Sequence, residues 1–182
     1  MHYAPRAYEY NGHVDFVLRD YRPDDFETLW KIDQQCFAPG IAYSRRELSV
    51  YIRRSGSFTV VAERTAGTKA SQISKPDTVG FIVAETNRRA VGHIISIDVL
   101  TEFRRSGLGS KLLREAETRL QNLHCTFSVL ETAVDNAAAL AFYKRHQYSV
   151  TKVAPRYYSN GVDAFVLEKK LNSQLAASRA TG

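Results

Sequence analysis

Apolar positions along this chain follow two periods, and the switches between them divide it into elements. Residues 13–18, 57–63, 79–85, 90–99 and 126–132 are short apolar runs that predict strands. Phe26, Leu29, Trp30 and Ile32 keep helical spacing after Arg22-Pro23-Asp24-Asp25, a helix start with proline and acids in its first turn, and predict a helix to about Cys36. Ser44 followed by Glu47 is a capping box for a second helix, to about Arg54. Leu108, Leu112, Leu113, Ala116, Leu120 and Leu123 mark an amphipathic third helix, and a fourth spans 136–146. Two last strands, about 149–157 and 162–168, predict a hairpin around Ser159-Asn160-Gly161. Residues 1–13 read as a loose extension, 65–78 as a polar surface loop around Pro76, and 172–182 as a flexible tail.

Between the strand ending at Val99 and the third helix lies Leu100-Thr-Glu-Phe-Arg-Arg-Ser-Gly-Leu-Gly-Ser110. The first N–H groups of a helix have no partner within it, and the macrodipole places partial positive charge at that end. Gly107 and Gly109 let the backbone approach a cluster of oxygens, and Arg104 and Arg105 add formal charge. A phosphate or pyrophosphate is the ligand implied. The dinucleotide fingerprint is excluded, because Leu112 stands where its third glycine belongs; Gly109-Ser110-Lys111 has the wrong order for a Walker loop. A tight turn with solvated arginines would satisfy these residues equally well.

Composition narrows the classes. A chain of 182 residues, 44% hydrophobic and 24% charged, predicts a single globular domain over residues 1–171. No apolar run is long enough to cross a membrane, and the start has no signal-peptide core. Cys36 and Cys125 stand far apart and predict reduced thiols in a cytoplasmic protein. The five histidines lack ligand spacing, so no metal is expected. The net charge of +6 admits a polyanionic partner, but Lys and Arg are spread in pairs rather than in a basic run, which argues against nucleic acid. Oligomeric state leaves no mark in the sequence.

Arg104-x-x-Gly107-x-Gly109 resembles the pyrophosphate motif of the GNAT superfamily of acyl-coenzyme A N-acyltransferases. The element order over residues 14–171 is similar as well. The resemblance implies an α/β fold with a mixed sheet of about seven strands and about four helices, the strands 90–99 and 126–132 lying parallel and splayed at its centre. It implies acetyl-coenzyme A as cofactor, held by Val99, Arg104, Arg105, Ser106, Gly107, Leu108, Gly109 and Ser110.

Leu130-Glu-Thr-Ala-Val-Asp-Asn-Ala-Ala-Ala-Leu-Ala-Phe-Tyr143 resembles the second half of the site in RimI-like ribosomal-protein N-terminal acetyltransferases. That resemblance implies coenzyme contacts from Asn136 and Tyr143, a general base at Glu131, a backbone donor for the oxyanion at Val99, and protonation of the leaving thiolate by Tyr143. A phenol near pKa 10 and a thiol near 8.5 are close enough for that transfer. Each of these residues also has a plain structural reading: Glu131 as a strand-end acid, Tyr143 as a core aromatic.

For the acceptor, deprotonating an N-terminal α-amine at pH 7 costs on the order of 1 kcal/mol, against about 4.6 for lysine. One glutamate therefore suits the α-amine of a protein or peptide. Phe37 and Tyr43 resemble the groove-wall loop of N-terminal acetyltransferases, and Tyr157 and Tyr158 resemble their peptide-binding tyrosine pair. A small-molecule amine or a lysine is the alternative acceptor, and a non-catalytic coenzyme- or nucleic-acid-binding module the alternative class. His146-Gln147-Tyr148 departs from the family's Leu-Gly-Phe and requires Gln147 to adopt a left-handed conformation.

Overall fold

A computed structural model describes residues 15–65, 77–87 and 89–171. Its elements follow the order β1 (Phe16–Asp20), α1 (Phe26–Cys36), α2 (Arg45–Arg53), β2 (Ser57–Arg64), β3 (Asp77–Thr86), β4 (Val91–Val99), α3 (Leu108–Asn122), β5 (Phe127–Ala133), α4 (Ala137–Arg145), β6 (Ser149–Ala154) and β7 (Ala164–Lys170). The strands form one seven-stranded sheet in the order β1-β2-β3-β4-β5-β7-β6. Every pairing described is antiparallel except β4 with β5.

That parallel pair is short. It joins Val91, Gly92 and His93 to Phe127, Ser128 and Val129 and then stops. Both strands continue, β4 held by β3 as far as Val99 and β5 by β7 as far as Ala133, so a gap opens between them. A bulge contributes to it: Ala84 pairs with Ile94 and Val83 with Ser96, which leaves Ile95 unpaired and bends β4.

Helices cover both faces. Leu108, Leu112, Leu113, Ala116 and Leu120 line the buried side of α3, and Tyr143 carries α4 into the same core with Val60, Ile82, Ile94 and Leu130. Leu29 and Ile32 of α1, with Leu48 and Ile52 of α2, pack on Val61, Phe81 and Val83 across the sheet. Each fully buried leucine contributes about 1.5–3 kcal/mol. The capping box on α2 forms as expected, with Ser44 Oγ accepting from Glu47 N–H and Glu47 Oε2 accepting from Ser44 N–H.

Three sequence expectations change. The third helix starts at Leu108, inside the glycine-bearing loop. The first strand is shifted C-terminally, because Phe16–Asp20 is the stretch that pairs with β2; residues 13 and 14 lie outside the described residues, as does most of the 65–78 loop. The last hairpin has a wider connection. Pro155 has no N–H to give a ladder and Arg156 sits at φ 49°, so β6 ends at Ala154 and β7 begins only at Ala164. Gln147 does adopt the left-handed conformation, at φ 68°, and Tyr148 is nevertheless buried, its hydroxyl donating to Ser128 Oγ at 2.8 Å.

Candidate active site

Glu131 sits on β5, two residues beyond the last rung shared with β4. Its Oε2 lies 2.7 Å from Nε2 of His93, the β4 residue at that last rung. Burial pushes the Glu131 carboxyl up, but the hydrogen bond and charge of His93, together with Tyr157 and Lys152, outweigh it and hold the acid below its ordinary value. An acid so held is ionised at neutral pH. His93 continues towards Glu85, whose Oε1 is 3.9 Å from its Nδ1 and which is itself paired with Arg54. Sequence reasoning missed His93; its signal was only a polar residue alternating with buried ones in β4.

Tyr143 reaches the site from α4. Its ring is 6% exposed and packs edge-on against Phe142 and Tyr148. Burial, with the fields of Asp98 and Tyr158, raises its phenol far above the ordinary value. The gap to a thiol is therefore wider than reference values suggest, which favours a standing hydrogen-bond donor over a freely exchanged proton.

Val99 closes the end of β4. Leu100 N–H donates to Val79 O at 3.0 Å, and the direction of backbone groups alternates along an antiparallel strand, so Val99 turns its N–H and C=O away from β3 and into the gap. The carbonyl there accepts Arg104 Nε at 2.9 Å and the Cys36 thiol at 3.4 Å. Arg104, an exposed residue, is thus anchored at the mouth of the gap.

Beyond it, Arg105 (φ 63°) and Gly107 (φ 86°) turn the chain into α3. A Cβ on Gly107 would meet nothing within 4 Å, so its constraint is conformational and the space beside it is open. Ser106 Oγ donates to Phe103 O at 2.7 Å and thereby braces the turn. The first intrahelical bond is Lys111 N–H to Gly107 O, so the N–H groups of Gly109 and Ser110 have no acceptor within the helix. Leu108 plays a different part from its neighbours: its side chain is 1% exposed and belongs to the core, leaving only backbone at the loop. Asn136 caps α4 by accepting Ala139 N–H at Oδ1, 3.0 Å, which leaves its amide NH2 as the free end.

Two loops form the opposite wall. Tyr43 is clamped at its backbone, where Asp33 Oδ2 accepts its N–H at 2.9 Å and Gln34 donates to its carbonyl at 2.8 Å; its hydroxyl donates to the bulged Ile95 at 3.2 Å. Burial raises the Asp33 carboxyl to about 6. Phe37 ends α1 in an extended conformation and is partly exposed. In the 155–163 connection, Tyr157 and Tyr158 meet edge-on at 5.0 Å, and Tyr157 leans on Glu131. Ser159 Oγ donates to Gly40 O at 3.0 Å and ties the two loops together. They approach so closely that a Cβ on Gly40 would lie 2.8 Å from Asn160 Cβ. Glu131, His93, Tyr157 and Tyr158 are thus neighbours, and Tyr43 lies beside the two tyrosines, while no contact among the described residues brings Phe37 to them.

The Acetyltransferase (GNAT) family matches residues 19–148. This chain belongs to that family. An N-alpha-acetyltransferase of Saccharolobus solfataricus is 27% identical over 169 residues, covering 86% of this chain and 94% of its own. An uncharacterized N-acetyltransferase of Methanocaldococcus jannaschii is 39% identical over 102 residues, half of this chain but 65% of the relative's length. Among solved structures, the NatC complex bound to Gag peptide and CoA superposes with a TM-score of 0.67 at 27% identity, covering 87% of this chain and 99% of the matched one. In this GNAT-family chain β4 and β5 part beside the basic turn and the start of α3.

Proposed function

We propose that this GNAT protein transfers acetyl from acetyl-coenzyme A to the N-terminal α-amine of a protein or peptide. The observation that carries this reading is the ionised Glu131, held by His93 and Tyr157 at the point where β4 and β5 part. A base stands there at the closed end of a gap whose mouth is a basic, helix-initiating turn. The residues present fit the coenzyme: Gly107 leaves open space, Gly109 and Ser110 have unspent N–H groups, and Arg104 and Arg105 add positive charge. Bound acetyl-coenzyme A supplies an activated acyl group and a thiolate leaving group.

The protein's own part is orientation and proton management. An α-amine is partly neutral at pH 7, and its nitrogen becomes strongly acidic only as it acquires the acyl group. A carboxylate of ordinary or lowered pKa is then base enough to accept the proton. Val99 N–H points into the gap as a donor for developing negative charge. Tyr143 presents a phenol that stays protonated, and its hydroxyl hydrogen bonds to nothing among the described residues, which leaves it available to a sulfur. Asn136 offers its free amide along the same helix. Tyr157 and Tyr158, with the clamped Tyr43 and with Phe37, supply the wall for an extended peptide, and the relatives named N-alpha-acetyltransferase support that choice of acceptor.

Release of free thiol from acetyl-coenzyme A tests the reading. Peptides with a free N-terminus should turn over, and blocking that amine should abolish the signal. Turnover with spermidine or an internal lysine, and none with free N-termini, would overturn the assignment of the acceptor. Binding of the coenzyme without turnover on any amine would overturn the catalytic assignment.

A further inference from the structure

His146 is where this chain departs from the family's sequence pattern, and nothing in the chemistry above uses it. It caps the C-terminus of α4, and its ring stacks on Phe142 with centroids 4.7 Å apart. Phe142 in turn lies over Gly109, where a Cβ would come 3.5 Å from its Cε2. This contact brings His146 Nε2 to 2.9 Å from Oγ of Ser110, the third residue of α3, whose own N–H has no helical acceptor. The end of α4 is therefore fastened to the start of α3, at the turn assigned above to the coenzyme.

The chemistry of that bond depends on the ring. If the neutral ring carries its proton on Nδ1, Nε2 is bare, and it accepts while the serine hydroxyl spends its one proton on the histidine. If the ring is an imidazolium, Nε2–H donates and the serine proton is free to point elsewhere. We propose that His146 is a positioning residue for the coenzyme's diphosphate: its neutral ring, protonated on Nδ1, accepts from Ser110 Oγ, and once Nε2 is protonated as well it donates to Ser110 Oγ and thereby turns the Ser110 hydroxyl into a donor for the diphosphate. This rests on the coenzyme reading and adds to it a residue and a proton linkage.

The surroundings agree in sign. Burial lowers the basicity of His146. Glu117 of α3 opposes this, while Arg145 of α4, Lys169 of β7 and Arg114 of α3 lower it further. Glu117 is itself tied to Lys169 at 2.6 Å, which blunts its pull. The free protein therefore holds the ring neutral at pH 7. A diphosphate at the start of α3 brings negative charge to the other side of Ser110 and favours the imidazolium. Binding then takes up a proton from solvent, and affinity rises as pH falls.

Dephospho-coenzyme A is the suitable probe, because its diphosphate does not titrate between about pH 5.5 and 8, so that histidine is the expected titrating group. Calorimetry on the full chain should show affinity rising on the order of five- to tenfold across that range, with proton uptake measured in buffers of different ionisation enthalpy. His146→Leu should bind weakly with no pH dependence. His146→Gln, whose amide is a donor at every pH, should bind as tightly as the low-pH wild type, also without pH dependence. Ser110→Ala should lose most of the low-pH gain. In the wild type, the His146 ring resonances followed by NMR should titrate at higher pH with the probe bound. An affinity rise that persists in His146→Leu, or a ring whose titration ignores the probe, would overturn this inference alone. No binding at any pH would overturn the coenzyme reading itself.

Discussion

His93 Nε2 stands 2.7 Å from Glu131 Oε2, one residue at the last rung where the parallel strands pair and the other just past it. The bond spans the fork at which the sheet opens, so it links β5 to β4 where their own backbone pairing has ended. It also keeps the acid ionised despite burial, through the same balance that Tyr157 and Lys152 support.

Replacing Glu131 by Gln keeps the shape and removes the base. Turnover on peptide should fall about 10²- to 10⁴-fold while coenzyme affinity stays within about twofold. Steady-state kinetics beside calorimetry separate the two effects. Full activity across pH would remove Glu131 from the mechanism.

His93→Asn takes away the main partner that lowers the Glu131 pKa. The acid should then rise, since burial acts unopposed by the ring. A base must be ionised to work, so the acidic limb of the kcat/KM profile should move to higher pH than in wild type. An unmoved limb would mean that Glu131 does not govern it.

Tyr143→Phe deletes a buried hydroxyl for which no hydrogen bond exists among the described residues. Stability should therefore change by less than about 0.5–1 kcal/mol, while kcat falls about 10- to 100-fold. Thermal melts and initial rates check both. A large loss of Tm would give the hydroxyl a structural role instead.

Gly107→Ala forces a side chain onto φ 86°. The conformation costs about 1–2 kcal/mol, and the new methyl projects into the space beside the helix start. Coenzyme Kd should rise about tenfold or more, with a Tm lower by a few degrees. Binding as tight as wild type would place the diphosphate elsewhere.

Asp98 is buried with Ser96 Oγ donating to Oδ2 at 2.6 Å and with no partner for Oδ1 among the described residues. Burial first, then Asp33, raises its carboxyl well above the ordinary range. A group with a raised folded pKa binds its proton more readily when native, so stability falls as pH climbs above the unfolded value until the folded group itself ionises. Asp98→Asn cannot ionise. Its Tm relative to wild type should be more favourable at pH 8 than at pH 5, and equal differences at both would show that Asp98 does not titrate with folding.

Much of the candidate site was legible because its residues are local in the chain. Gly107, Gly109 and the arginines form one turn between a strand and a helix, and Glu131, Asn136 and Tyr143 lie within thirteen residues that run from one strand into one helix. Periods of two and of three to four placed the strands and helices, apart from their ends. The capping box at Ser44 was readable because its partner is three residues away.

Residues separated in sequence were not legible. His93 and Glu131 are 38 positions apart, and Ser110 and His146 are 36 apart. Nothing in either stretch announces the other, since hydrogen bonds across a sheet or between helices depend on register. The meeting of Gly40 with Ser159 and Asn160 likewise needs both loops in place. The sequence by itself determined the alternation of elements, the basic turn and the acid–phenol spacing, because those follow from backbone periodicity and neighbouring residues. Only the tertiary structure decided where the two central strands part, that an imidazole steadies the Glu131 carboxylate there, and that a second one touches the start of α3. Those are long-range packing outcomes, reached when the bulged β4 is held by β3 and β5 by β7, so that the two strands diverge.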